Sequence, residues 1–174
     1  MEETAMHVKI RNRISLILAL LGAMLYSLNC LAAQDEGKAM DIDIQWGAYY
    51  LTKEDNQYRV FRLLDFNRYA YHAAIFKETF TTRPTKEEIL QLTPFIGHAP
   101  IDAKALLQEE SIQLLAAAPL KKEDLEGYRY YLEEQGMTNT ELDESIQRIM
   151  EFSTQPPLPL RLEKVDDELE ISQR

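Results

Sequence analysis

A chain of 174 residues with 19 basic and 29 acidic side chains carries a formal net charge of −10. That balance repels nucleic acid and anionic lipid headgroups, which excludes both as partners and favours a basic protein or plain solubility. With one cysteine, no intramolecular disulfide can form, so the fold must hold by packing alone.

The N-terminus reads as an address. Lys9, Arg11 and Arg13 form a basic head, and an apolar run begins at Ile14. Leu31-Ala32-Ala33 offers small residues for cleavage before Gln34-Asp35-Glu36. These are the three parts of a secretory signal peptide over 1–33, cleaved near Ala33. The 20 apolar-rich positions from Ile14 to Ala33 also reach the length of an uncleaved membrane anchor, the competing reading. Either way the acidic flank follows the run and the rest of the chain lies outside the cytoplasm. Lipidation at Cys30 is a third reading. It is disfavoured by Ser27 and Asn29, where a lipoprotein signal calls for an aliphatic and a small residue.

Residues 34–174 then form one mature domain. Losing Lys9, Arg11, Arg13, Glu2 and Glu3 leaves 16 basic and 27 acidic residues, a net −11. Neither Asn56, Asn67 nor Asn139 opens a glycosylation sequon. A domain without cysteine or sequon, placed outside the cytoplasm, points to a bacterial envelope protein that is periplasmic or secreted.

From Asp41 to Tyr50, Ile42, Ile44, Trp46, Ala48 and Tyr50 alternate with the other phase, which predicts a half-buried strand. Lys53-Glu54-Asp55-Asn56 turns the chain into Tyr58–Leu64, apolar on both faces as a central strand is. Asp65-Phe66-Asn67 reverses it again. Tyr69–Phe80 reads as a third strand, although Tyr69, Ala73, Phe76 and Phe80 also mark one face of a helix. Together these predict a three-stranded antiparallel meander.

About four helices are expected next. Thr85-Lys86-Glu87-Glu88 is a capping box that starts the first. Pro94 to Pro100 reads as a buried loop, and a second helix is expected from about Asp102 to Ala117. A third runs from Pro119 to Gly136, its inner face formed by Leu125, Tyr128, Tyr131 and Leu132. The fourth starts at Thr138, with Leu142, Ile146, Ile149 and Met150 on one face. A short link pairs these last two as an antiparallel hairpin. Beyond Phe152, residues 153–174 read as a proline-rich link and then a strand or hairpin completing the sheet, or else an acidic tail. The fold class is α+β.

Chemistry is sparse. His98 sits in Gly97-His98-Ala99-Pro100, four residues before Asp102, and could serve as a general base, with Asp102 or His72 assisting. His72 falls on the third strand and reads as a sheet-surface residue. No second histidine or cysteine stands at ligand spacing from His98, so neither a metal nor another cofactor is expected. The acidic pairs Glu87-Glu88, Glu109-Glu110 and Asp166-Asp167 read as solvated faces. Arg129 and Tyr130, on the outer side of the third helix, are the candidate contact residues. The expectation is an exported, non-catalytic protein that binds a basic exported protein or a cell-wall component, with an inhibitor or immunity-like role open. A small hydrolase or metal-dependent enzyme centred on His98 is the alternative, and a structural envelope component the third.

Overall fold

The computed structural model describes residues 37–174, so the leader, Cys30 and the cleavage point near Ala33 lie outside the described residues. The described chain is mixed helix and strand with two antiparallel sheets. The first expected strand divides in two. Gly47, at φ +76°, bends the chain between β1 (Ala39–Ile44) and β2 (Ala48–Glu54). A Cβ there would lie 2.4 Å from the Ala118 carbonyl oxygen, so both the backbone angle and the space demand glycine.

β2 continues antiparallel into β3 (Gln57–Phe66) and β4 (Ala70–Phe80). Asp55 and Asn56 connect β2 to β3 at φ 48° and 60°, the positive pair that a two-residue type I′ hairpin demands. Because Asp-Gly suits that turn better than Asp-Asn, Asn56→Gly should stabilise the chain by about 0.5 kcal/mol, roughly 2 °C in Tm. Calorimetry checks this, and an unchanged or lower Tm would refute it. At the next reversal Asn67 Oδ1 accepts from the Tyr69 and Ala70 amides at 2.8 and 3.0 Å.

The large sheet is wider than a meander, with order β5-β4-β3-β2-β6. Two segments supply the extra strands, and both correct the sequence expectation. The stretch from Pro94 is not a buried loop: from Ile96 it is β5 (Ile96–Asp102), largely exposed, on the outer side of β4. The helix expected over Asp102–Ala117 is instead a short 3-10 helix, Ala103–Gln108, followed by β6 (Ile112–Ala117). Helical spacing within 102–117 is overridden by pairing: β6 covers the edge of β2 and satisfies backbone groups there.

Helix α1 (Lys86–Ile89) is a single turn closed by its capping box. Pro119 does not open the next helix. A 3-10 turn at Glu123–Leu125 leads into α2 (Glu126–Glu134). Its end is a Schellman motif, in which the Gly136 amide donates to Glu133 and the Met137 amide to Leu132. Helix α3 (Asn139–Phe152) starts from the Thr138–Glu141 capping box and buries Leu142, Ile146 and Ile149. The C-terminal residues are neither a tail nor a strand of the large sheet. β7 (Leu158–Val165) and β8 (Glu168–Gln173) form a hairpin, and β7 pairs with β1 in a separate sheet of order β1-β7-β8.

Three layers result. One face of the large sheet presents Tyr50, Phe61, Leu63, Tyr71 and Ala73 to Ile42, Leu160 and Leu162 of the small sheet. The opposite face presents Leu64 and Ala74 to Leu125, Tyr128, Leu132, Leu142 and Ile149 of the helical layer. Farther along, it presents Leu51, Val60 and Phe76 to Ile89 of α1. Coverage on both sides explains why β2, β3 and β4 carry unbroken apolar runs. Among the described residues, no helix is long and apolar enough to cross a membrane.

Candidate functional site

The two described histidines meet. His72 on β4 faces Pro100 across the sheet, which makes His98 on β5 its diagonal neighbour. Their rings are nearly coplanar, and His72 Nδ1 lies 2.9 Å from His98 Nε2, one nitrogen donating and the other accepting. His72 is not a surface residue: it is 4% exposed, on the face covered by α2. The Tyr128 and Tyr131 rings close over the pair, with centroids 4.7–5.2 Å from the imidazoles. Gly127 lets α2 come this near, since a Cβ there would stand 3.1 Å from His98 Cβ and 3.3 Å from its amide nitrogen.

Beneath the tyrosines lies an Asp65 hub. Asp65 Oδ2 accepts from the Tyr128 hydroxyl at 2.7 Å, and Oδ1 accepts from Trp46 Nε1 and the Phe66 amide, each at 2.9 Å. Burial and the Asp65 carboxylate push the Tyr128 hydroxyl well above the ordinary tyrosine range, so it stays protonated and donates. Burial also lowers both imidazoles. His98, with His72 beside it, is pushed down to about 4. His72 is lowered too, against the pull of Asp65.

This arrangement leaves little for catalysis. The inner nitrogen of each ring is spent on the other, and His72 is closed to solvent. Asp102 does not assist: four residues along a strand place it about 13 Å from His98. Its carboxylate instead accepts from the Lys104 amide at 2.8 Å and pairs with the Lys104 ammonium at 4.0 Å. Among the described residues, no three of His, Cys, Asp and Glu gather as a metal-binding group.

A different place offers a concave surface. A cleft of 390 Å³ opens where the 3-10 turn, α2 and α3 meet. Its floor is apolar, built from Leu125, Ile146 and the partly buried Met150. Lys122 and Arg129 stand on one wall, Asp143, Glu144 and Gln147 on the other. Arg129 Nη1 reaches Asp143 Oδ1 at 3.2 Å, while Gln147 donates to Glu151. Asp143, Gln147 and Met150 recur at i, i+4 and i+7 beside the buried stripe Leu142, Ile146 and Ile149, which is why one ridge of α3 lines the cleft.

Of the two expected contact residues, Arg129 belongs to this cleft and Tyr130 does not line it, being 59% exposed on α2. Asp102 lines a smaller recess of 240 Å³ with Arg68, Tyr69, Lys104 and Asp167. A third, of 450 Å³, runs over Arg59, Phe61, Ile75, Lys77 and Glu109. Neither histidine lines any of these three clefts. Sequence reasoning missed Lys122, Asp143 and Glu144. The only signal was the polar ridge on α3, and it acquires meaning only once the 3-10 turn is folded opposite. The chain matches no family model, and no curated protein or solved structure matches it.

Proposed function

We propose that this chain is an exported, non-catalytic binding protein of the bacterial envelope that holds a protein or cell-wall ligand in the cleft between α2 and α3. One observation carries the reading: an apolar floor walled by charges of both signs, at a volume within the range of ligand sites. The acidic balance favours a basic partner where the ligand is a protein. An enzyme centred on His98 has less support, because its imidazole is bonded to His72 and covered by two tyrosines. A purely structural component has no use for the cleft.

The test is retention. The full-length chain, purified from expressing cells and immobilised, is exposed to a periplasmic extract and to fragments of purified peptidoglycan. Wild type and His98→Gln should retain the same ligand, and Arg129→Glu and Glu144→Lys, each made alone, should lose at least tenfold. Retention unchanged by these charge reversals, or absent from wild type, would overturn the proposal.

A further inference from the structure

We infer that the α2–α3 cleft recognises a short peptide with both its ammonium and its carboxylate free. This rests on the binding reading and narrows it to one ligand class. The two walls have opposite demands. Lys122 and Arg129 attract an anion, while Asp143 and Glu144 attract a cation. The side chains of Lys122 and Glu144 make no hydrogen bond or ion pair among the described residues. Arg129 spends one nitrogen on Asp143 and keeps the rest of its donor fork for another acceptor.

A ligand of one sign fits badly. A dianion satisfies Lys122 and Arg129 but faces Asp143 and Glu144, and a polyamine meets the reverse conflict. A neutral sugar leaves both walls unanswered and sets its hydroxyls against Leu125, Ile146 and Met150. A zwitterion with an apolar centre satisfies all three surfaces. In an extended di- or tripeptide the end charges stand roughly 7–10 Å apart. A volume of 390 Å³ lies near the small end of ligand sites, which suits that length. The carboxylate goes to Arg129 and Lys122, where guanidinium geometry favours it. The ammonium goes to Glu144, Asp143 being paired with Arg129 already, and an apolar side chain rests on the floor.

The probe is Ala-Leu-Ala in four forms: free, N-acetylated, C-amidated and blocked at both ends. Binding to the full-length chain is measured by titration calorimetry in low salt. The free form should bind, each single block should weaken binding about tenfold, and the double block should abolish it. Arg129→Gln should make the free and amidated forms bind alike, and Glu144→Gln should do the same for the free and acetylated forms. Both sites are on the surface, and circular dichroism confirms that each variant folds. Four forms binding alike, or none binding, would overturn the inference. If the peptides fail while an envelope ligand is still lost on charge reversal, the ligand class falls and the binding reading stands. If both fail, both fall.

Discussion

Arg62→Ala should lower stability by about 4 kcal/mol, the largest loss expected from one polar substitution in this chain. The Arg62 side chain is 8% exposed and lies on β3 beneath the Ala118–Asp124 segment. Its Nε donates to the Gly47 carbonyl at 3.2 Å, and Nη2 donates to the carbonyls of Ala118 and Pro119 at 3.2 and 3.4 Å. Nη1 pairs with Asp124 at 2.9 Å, and the guanidinium stands 5.1 Å from the centroid of the Tyr49 ring. One side chain therefore ties the β1–β2 bend to the segment that leads into the helical layer. Truncation takes a donor from three carbonyls and a carboxylate, leaving the Gly47 carbonyl with the Ala118 amide and Asp124 with the Lys121 amide. Arg62→Lys should recover only part of the loss, because an ammonium lacks the planar fork that spans four acceptors. Urea unfolding followed by the fluorescence of Trp46, the chain's single tryptophan, should show the midpoint falling by roughly 2 M for Arg62→Ala. A fall below 0.5 M would remove Arg62 from this role.

What could be read from the sequence was local. Both capping boxes, Thr85–Glu88 and Thr138–Glu141, form as their spacing dictates, since each needs only a four-residue span. The i, i+4, i+7 spacing of Leu142, Ile146 and Ile149 sets the buried face of α3 without help from distant residues. Segments whose state depends on a partner were not legible. Ile112–Ala117 is a strand because β2 offers an unfilled edge, and nothing within 102–117 announces that edge. Gly47 separates two sheets because Ala118, 71 residues later, presses on it. The histidine pair depends on the β4–β5 register, and Asp102 is no neighbour of His98 because the segment expected to be a loop is an extended strand. Arg129 was picked as a contact residue from its type, whereas the cleft that gives it partners exists only between three elements.

Lowering the pH from 7.5 to 4.5 should weaken the fold by about 2 kcal/mol through His98, while His98→Gln should lose less than half as much. The sign follows from linkage. A histidine held neutral by the fold has a native pKa below its unfolded value, so the unfolded chain takes up the proton first. Stability is full above about pH 7, falls as pH drops through about 6.5, and levels off below the folded value of about 4 for His98. The magnitude is discounted from the full shift because some solvent still reaches the His98 ring. His72, lowered in the same sense, adds to the loss.

The groups facing the pair from β3, α2 and α3 are few. Asp65 favours a proton on His72, the Tyr128 hydroxyl stays protonated, and Arg148 acts on Tyr128 rather than on the imidazoles. One proton already lies between His72 Nδ1 and His98 Nε2, so a first extra proton goes to an outer ring nitrogen, whereas a second sets two cations and two N–H donors against each other under the tyrosines. Glu88 and Glu141 have depressed pKa values from bonds to Thr85 and Thr138, so their capping contributions persist until lower pH. Glu109, raised by burial, works in the opposite sense as acid relieves its charge. Urea midpoints for wild type and His98→Gln at pH 7.5, 6.0 and 4.5 separate these effects. Identical slopes for the two proteins would show that the acid response resides elsewhere. A flatter slope for the variant would place it where α2 is pressed onto β5, so acid would loosen the helical layer that carries the cleft before it touches the small sheet.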